Sequence, residues 1–415
     1  MLFDLNVVNA NFGKIADVLP YFSRSALGEN QDTDHAVEVR LTSPRTDKLK
    51  WMIGGSYFSL RNTFITNAFG IAGFSVANPQ GLANSDTYGL FASATYDLGA
   101  GFAITGEGRI QWDKVFQQTL AGINPSGQAT FRSASPRVIL DYKPSKDLTV
   151  YASYSQGTRP GEFNTAFLSL SPAFQAQVLA VTAAPLVVPE EKIKMGELGV
   201  KGMFLDERLR VLADVYYGRW TNRHIPNLVS LLNPNGSLSQ TLTVQAPGGI
   251  IRLSGFELEG AFKATKELTL EATFNIAATS IRNTFCTDCR LITGNPTPVG
   301  TQLPYYPKTK GTFSATYERQ ITDELLGFIR GDVIYTGKIF DSEANIAWLA
   351  PSTRMNLRLG VQRGKTSLEV YGNNVTDNRT PSSLARNTDS LTGTNAISVS
   401  LADKATYGVR FKTQF

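Results

Sequence analysis

The chain has 415 residues, of which 42% are hydrophobic and 18% charged, and its 40 basic and 35 acidic residues give a formal net charge of +5. Acidic and basic residues interleave along the chain instead of forming a basic tract, so no nucleic-acid partner is expected. No apolar stretch reaches the roughly 18 residues of a membrane-spanning helix. The 36 glycines, 24 phenylalanines and 15 tyrosines favour an all-β protein.

The beginning of the chain, Met1 to Asn6, lacks the basic and apolar segments of a secretory signal peptide. We therefore expect either a protein that is not exported or a chain whose natural start lies further upstream.

Alternation of apolar and polar residues predicts strands along most of the chain. Between Leu268 and Ile276, for example, every second residue is apolar and the residues between them are polar. The same pattern predicts fifteen strands, at 34–43, 48–60, 86–97, 101–113, 128–143, 147–157, 192–204, 207–222, 250–264, 267–283, 308–321, 324–340, 353–363, 366–373 and 402–415.

The connections between these strands alternate in length. Short turns such as 143–147 and 205–208 alternate with long connections such as 158–191 and 223–249. This asymmetry is typical of outer-membrane barrels, in which one end carries tight turns and the other long extracellular loops. Since lipid offers no hydrogen-bond partner, the apolar residues should face outward and the polar ones the lumen. A soluble sheet with a charged solvent face remains the alternative.

Aromatic residues near the predicted strand ends fit the girdles at the two membrane interfaces. The candidates are Tyr96, Trp112, Tyr142, Tyr154, Trp220, Tyr317 and Tyr335.

The connection 158–191 contains Ser171-Pro172 followed by apolar residues, which predicts a short helix that Pro185 ends. We expect this helix to pack on neighbouring loops rather than to contact a ligand directly.

The two cysteines, Cys286 and Cys289, lie in one predicted extracellular loop. An oxidising compartment favours a disulfide between them, whereas a redox or zinc site would require a second cysteine pair or a nearby histidine. The two histidines, His35 and His224, stand in no catalytic or metal-binding spacing. The sequence therefore predicts no enzyme, no metal site and no cofactor.

Several segments together resemble the barrel of TonB-dependent receptors. The most specific is Tyr151–Asn164, which is similar to the family pattern "y.sy..GfrpGgfN". Glu197–Gly202 resembles "ElGvKg", Gly255–Glu259 resembles "G.E.E", and Asn374–Asp377 stands where the family has Asn-Leu-x-Asp. The matches extend from about residue 36 to residue 415. Departures from the family pattern occur at Glu162, Val375 and Thr380.

The resemblance implies a transmembrane antiparallel barrel of about 22 strands, of which the fifteen predicted here are a part. In this reading residues 1–33 are the remainder of an extracellular loop and residues 34–415 form a partial barrel. The family's plug and TonB-binding segment should precede the barrel, and residues 1–33 resemble neither. We therefore expect a fragment or a gene model that begins at an internal methionine.

The resemblance also suggests site residues. Arg159, Phe163 and Asn164 lie at a junction between strand and loop that faces the extracellular mouth, where they either contact substrate or shape the rim. On the last strand, Tyr407, Phe411 and the terminal Phe415 resemble the signal that barrel-assembly machinery recognises.

The function implied is active uptake across the outer membrane of a Gram-negative bacterium. Expected partners are the TonB energy-coupling system (through the plug), the assembly machinery, the lipid bilayer and a small-molecule or metal-chelate substrate such as a siderophore, haem, cobalamin or an oligosaccharide. A passive porin-like channel is the main alternative, and a soluble β-rich binding or carbohydrate-processing protein is another.

Overall fold

A computed structural model describes residues 2–5, 24–44, 48–70, 75–76, 80–119, 126–168, 170–182, 184–388 and 395–414. Fifteen long strands dominate the described chain, in agreement with the number predicted. Their bounds are Arg24–Thr42 (β1), Leu49–Gly70 (β2), Gln80–Gly99 (β3), Phe102–Thr119 (β4), Ser126–Ser145 (β5), Leu148–Arg159 (β6), Glu191–Phe204 (β7), Leu209–Thr221 (β8), Ile250–Lys263 (β9), Leu268–Asn283 (β10), Thr309–Thr322 (β11), Leu325–Thr336 (β12), Ser352–Arg363 (β13), Thr366–Asn373 (β14) and Thr406–Thr413 (β15).

These strands form one antiparallel sheet in which each long strand pairs with the next in the chain. Two short strands join it: Leu2–Leu5 pairs with β1, and Ser75–Val76 pairs with β2. The prediction of an all-β antiparallel barrel wall is thus confirmed. Among the described residues, no pairing joins β15 to β1.

The first three strands are longer than predicted on the side of the long loops. β1 begins at Arg24 instead of residue 34, and β2 continues to Gly70 instead of residue 60. In these extensions polar residues occupy both faces, as in Asn30 to Asp34, so no apolar alternation marks them in the sequence.

The two faces of the sheet differ sharply in polarity. Along β4 the large apolar side chains of Phe102, Ile104 and Ile110 are exposed, while the polar residues between them are partly shielded. The same face is apolar on the following strands. Successive cross-strand partners on it are Leu198, Val215, Phe256 and Ile276, on β7 to β10. We call the apolar face the outer face and the polar one the inner face.

The outer face remains uncovered over the whole sheet. Leu359 is 59% exposed and Val409 is 68% exposed, although burial of such a side chain contributes about 1.5–3 kcal/mol. The predicted outward orientation of the apolar residues is therefore confirmed, and the physical requirement for it is hydrocarbon around the wall.

Six of the seven predicted girdle aromatics lie on the outer face, but Trp220 does not. Its neighbours Tyr217 and Arg219 are exposed, and the indole Nε1 of Trp220 donates to Glu191 Oε2 at 3.1 Å. The prediction for Trp220 was wrong because it rested on position along the strand and ignored which face the residue occupies.

On the inner face, aromatic rings lie over glycines of the neighbouring strand. In each case the two residues are direct cross-strand partners, so the ring occupies the space that a larger residue's side chain would fill at the glycine position. The five pairs are Gly54 with Phe91, Gly199 with Tyr151, Gly255 with Tyr216, Gly360 with Phe328 and Gly408 with Tyr371.

The long connections contain the remaining structure. The helices are Thr165–Leu168 (α1), Pro172–Val181 (α2) and Thr287–Thr293 (α3), and no described helix has the length and apolar composition needed to cross a bilayer. Two-stranded pairings join Glu162–Phe163 with Val187–Val188, His224–Leu232 with Leu238–Pro247, Ile339–Phe340 with Trp348–Leu349, and Ser383–Thr388 with Asn395–Ser400.

Candidate functional site

The long loops meet at one end of the wall and form a packed body there. Helix α2 begins with Ser171 as its N-cap, whose side chain accepts a hydrogen bond from Phe174 N, and with Pro172 in the first turn. It ends at Val181, four residues before the predicted Pro185. Its interior side lies on the hairpin 224–247, as expected of a helix that packs on neighbouring loops.

A small apolar cluster holds this body together, and three of its members, Val178, Leu231 and Val244, are fully buried. Its buried members are Leu170, Val178, Ala184, Val229, Leu231, Val244 and Ala246. Because each fully buried Val or Leu contributes about 1.5–3 kcal/mol, the cluster is large enough to fix α2 against the hairpin. We call residues 162–188 and 224–247 the mouth body.

Asn164 connects the two parts of the mouth body. Its amide nitrogen donates to Pro185 O at 2.6 Å and to Gln245 O at 2.8 Å, and its side-chain oxygen accepts from Gln245 N at 2.7 Å. The side chain is 6% exposed. Asn164 therefore satisfies backbone groups of two loops and presents no free polar atom to the mouth.

Phe163, the neighbour of Asn164, is also buried. Its ring lies 6.4 Å from the ring of Phe131 on β5 and covers Gly127, where an added Cβ would stand 2.8 Å from the ring. Phe163 thus packs the mouth body onto the wall.

Arg159 differs from the other two predicted site residues. Its side chain is 62% exposed, and Nη1 stands 3.2 Å from Glu191 Oε1 across the β6–β7 pairing. The structure therefore brings Phe163 and Asn164 into the packing beneath the mouth, whereas Arg159 alone has its side chain open to the mouth.

His224 forms a junction that the sequence did not reveal. Its Nδ1 lies 2.7 Å from Glu162 Oε1 and 3.6 Å from Glu191 Oε1, and its Nε2 lies 2.8 Å from Pro189 O. Its backbone N–H donates to Glu191 Oε1 at 2.7 Å. One imidazole thus joins the start of the hairpin, the strand 162–163 and the segment that leads into β7. Glu162 lies 62 residues away in the chain, so no local motif could have indicated the pair.

The charges at this junction stabilise each other. Burial alone would lower the pKa of His224, but the hydrogen bonds to Glu162 and to the Pro189 carbonyl outweigh it, and the pKa of His224 is raised. The hydrogen bond from His224 lowers the pKa of Glu162 against the opposing effect of burial. Both directions favour the ionised pair.

Two further ion pairs attach the later loops to the mouth. Arg223 Nη1 stands 2.7 Å from Glu343 Oε1, with both side chains largely buried, and Arg386 pairs with the fully buried Asp341. Removal of one partner of such a buried pair leaves an uncompensated charge and costs about 3–5 kcal/mol.

Cys286 and Cys289 are joined in a disulfide at the start of α3, and both are buried. The backbone N–H of Thr287 donates to Asn227 Oδ1 at 3.1 Å, which docks α3 onto the hairpin 224–247. In the described ranges, no group of histidine, cysteine or acidic residues has the arrangement of a metal site.

The inner face below the mouth is lined by hydrogen-bonded ion pairs. Arg330 is representative, because its guanidinium contacts Asp332 at 2.8 Å and Glu271 at 2.9 Å. Such a surface provides donors and acceptors for a polar solute or a protein surface.

On the last strand, Tyr407 and Phe411 lie on the outer face and are exposed, whereas Phe415 lies outside the described residues.

Comparison with known proteins agrees with this architecture. The family described as "TonB dependent receptor-like, beta-barrel" matches residues 4–375. Among solved structures, the ferric yersiniabactin uptake receptor FyuA from Yersinia pestis is similar, with a TM-score of 0.73 at 16% identity over 94% of this chain and 55% of that chain.

Two receptors from Acinetobacter baumannii are similar as well. The siderophore receptor PiuA has a TM-score of 0.67 at 15% identity over 94% of this chain and 57% of that one. The ferric preacinetobactin receptor BauA has a TM-score of 0.64 at 14% identity over 95% of this chain and 55% of that one. At these identities the likeness concerns the fold, and the chain spans about half the length of these structures.

Proposed function

The chain belongs to the TonB-dependent receptor-like β-barrel family, and from this we propose that it forms the lipid-facing wall and the extracellular mouth of a receptor for energised uptake across the outer membrane of a Gram-negative bacterium. Because the family is one of receptors, we propose a transport role rather than an enzymatic one. The sequence-based division places residues 1–33 in a preceding extracellular loop and residues 34–415 in the wall and its loops. Because β1 begins at Arg24, we assign residues 24–33 to the wall as well.

The observation that carries this proposal is the separation of an apolar and a polar face over the fifteen strands, away from their ends at the long loops. Apolar residues are exposed on the outer face of every region of the sheet, from Val39 on β1 to Val409 on β15. An uncovered apolar belt of this extent is stable only against lipid, and a polar inner face suits a lumen that solute or a plug occupies.

We propose a ferric siderophore as the first substrate class to test, because PiuA is named a siderophore receptor and because FyuA and BauA are named receptors for ferric yersiniabactin and ferric preacinetobactin. Haem, cobalamin and oligosaccharides remain the other candidates. Of the three site residues predicted from the sequence, we propose Arg159 as the one that contacts the substrate. Its guanidinium is exposed at the mouth and carries a charge suited to an anionic chelate. Phe163 and Asn164 support the mouth body in this proposal.

The proposed partners follow from the same assignment. Contact with TonB would be made through a plug outside residues 34–415. The outer-face residues Tyr407 and Phe411, with Phe415, are proposed as the signal for the barrel-assembly machinery.

Fractionation and electrophoresis test the membrane assignment. The chain should sediment with outer membranes and should migrate differently in SDS before and after heating, because a folded barrel resists SDS. A product that remains soluble without detergent would contradict the proposal.

Uptake of radiolabelled ferric siderophores by cells carrying the complete receptor tests the transport step. Uptake should require TonB and should fall when Arg159→Gln replaces the exposed cation, whereas Arg363→Gln at the opposite end of the wall should leave it unchanged. Steady ionic conductance in a planar bilayer without an energy source would instead favour a passive channel.

A further inference from the structure

A row of three cations crosses the outer face near the long-loop ends of β7, β8 and β9. Lys194 stands directly opposite Arg219, and Arg219 stands directly opposite Arg252. All three are exposed, and all occupy the face that carries Leu198, Val215 and Phe256. Like charges on directly opposed residues of neighbouring strands destabilise a sheet unless an anion neutralises them.

No residue of the described chain provides that anion. None of the three cations has an ion-pair partner there, and the row ends in uncharged residues, Gln156 on one side and Ser280 on the other. By contrast, Lys192, which lies one step closer to the loops on the same face, pairs with Glu190. Arg61, another outer-face cation, contacts Asp86 at 2.9 Å.

A groove lies directly beneath the row, on the side of the membrane centre. Tyr154 and Tyr217 flank Gly196, and an added Cβ at Gly196 would have no atom closer than 4.0 Å, so the floor of the groove is open. This region belongs to a cavity of about 740 Å³ whose lining includes Lys194 and Arg219 as well as Leu198 and Val215.

The groove is therefore cationic at its end near the long loops, and it becomes apolar two residues further along each strand towards the membrane centre. Two residues of a strand span about 7 Å, so the step from the cations to the tyrosines corresponds to the change from headgroup to acyl chain in a bilayer. Tyrosines at this level are typical of the membrane interface.

We propose that Lys194, Arg219 and Arg252 bind the phosphate of a phosphorylated glycolipid of the outer leaflet, with one of its acyl chains in the groove between Tyr154 and Tyr217. The proposal rests on the proposed function, since it requires that the apolar face contacts lipid and that the long loops are extracellular. Guanidinium and ammonium groups are the usual phosphate ligands, and each such cation near a membrane surface strengthens the binding of anionic lipid.

Native mass spectrometry of the folded chain in detergent tests this site. The probes are bisphosphorylated lipid A, the same lipid without its phosphates, and inorganic phosphate. The triple variant Lys194→Gln, Arg219→Gln, Arg252→Gln should bind bisphosphorylated lipid A roughly hundredfold more weakly, at about fivefold for each cation removed. The dephosphorylated lipid should bind the unaltered chain no better than it binds this variant.

A charge-matched control removes three cations from the inner face, through Lys201→Gln, Lys310→Gln and Arg358→Gln. This variant loses the same net charge and should retain lipid binding. Gly196→Leu provides an independent test, because leucine fills the open groove from the outer face and should weaken lipid binding without lowering the temperature at which heating in SDS unfolds the barrel.

Several outcomes would overturn the lipid site. They are unchanged binding by the triple variant, equal binding of the lipid with and without phosphate, and competition by inorganic phosphate as effective as that by the lipid, which would indicate a small-anion site. A chain that folds in detergent and fails these tests contradicts the lipid site alone. A chain that needs no detergent contradicts both this site and the proposed function.

Discussion

The side chain of Asn164 satisfies three backbone polar groups in two loops, one at Pro185 and two at Gln245, which lies 81 residues further along the chain. Asparagine alone among the amino acids of this size offers an acceptor and two donors on one planar group. At the scale of single residues, the mouth is therefore organised by polar side chains that hold backbone segments together, with His224 in a similar position between Glu162 and Pro189.

Replacement of Asn164 by alanine should loosen the mouth body. The change leaves Gln245 N and two carbonyl groups without their partner, at a cost of about 1–3 kcal/mol for each group that stays buried. We expect faster hydrogen exchange in the hairpin 224–247 and unchanged exchange in β11 to β14. Asn233→Ala is the matched control, since Asn233 is only partly buried and its side chain contacts Ser237 within the turn of the hairpin. Equal exchange in both variants would contradict the role assigned to Asn164.

The mouth body should also respond to pH. His224 has a raised pKa when folded, so its contribution to stability is complete below its ordinary value of 6.5 and is lost as pH rises through the folded value. Glu162 has a lowered pKa, so its contribution is complete above its ordinary value of 4.5 and is lost as pH falls through the folded value. The body should be most stable between these two ordinary values.

Limited proteolysis at pH 5.5, 7.0 and 8.5 measures this dependence. Cleavage within residues 224–247 should be slowest at the lowest of these pH values. His224→Gln keeps a hydrogen-bonding side chain but cannot take up a proton in this range. The pH dependence of cleavage within residues 224–247 should therefore be lost in this variant. A pH dependence that survives in His224→Gln would assign the effect to other groups.

At the scale of strands, the inner-face glycines allow aromatic rings to lie flat against the neighbouring strand. Gly199 is an example: an added Cβ would stand 2.5 Å from the ring atoms of Tyr151. This contact cannot be relieved by a small shift, because the ring is also held by the hydrogen bond from its hydroxyl to Glu197.

Gly199→Val should therefore lower the stability of the wall by about 1–3 kcal/mol, the usual cost of overpacking. The measurement is the temperature at which heating in SDS converts the folded band into the unfolded one. Gly106→Val on the outer face is the control, since a Cβ there meets no atom within 4 Å. If the two variants unfold at the same temperature, the ring over Gly199 contributes nothing measurable.

The strands were largely predictable from the sequence, because lipid on one side and a polar lumen on the other impose a period of two on residues such as Leu268 to Ile276. Strand limits were less predictable where both faces are polar, as at the start of β1. The mouth body was not predictable beyond the helix α2, since Asn164 with Gln245 and His224 with Glu162 are pairs distant in sequence that follow no period. Trp220 shows that position along a strand does not determine the face.

At the scale of the whole molecule, the protein has an apolar surface outside and a polar surface inside, the reverse of a soluble sheet protein. In the part of the chain that the structure describes, the fully buried side chains, such as Leu231, Ile251 and Cys289, lie in the long loops and at the strand ends beneath them. Stability of the wall must then depend on the backbone hydrogen bonds between strands and on the surrounding lipid.

Leu359→Arg should reduce the stability of the wall in a lipid bilayer by about 2–4 kcal/mol if the residue lies near the membrane centre. Gln362→Arg, on the inner face of the same strand, should have little effect because the charge remains hydrated. Urea unfolding in bilayers, followed by tryptophan fluorescence, measures the difference. Equal losses in the two variants would show that the outer face does not contact hydrocarbon.

The mouth body has a consequence for how receptors of this kind diversify. Its two loop segments share one apolar cluster and are bound to each other through Asn164 and to the wall through His224 and Phe163. Recombination that replaced only one of the segments would pair surfaces that had not been selected together. New ligand preferences are therefore expected to arise by exchange of residues 159–250 as a block, with the junctions in the strands on either side.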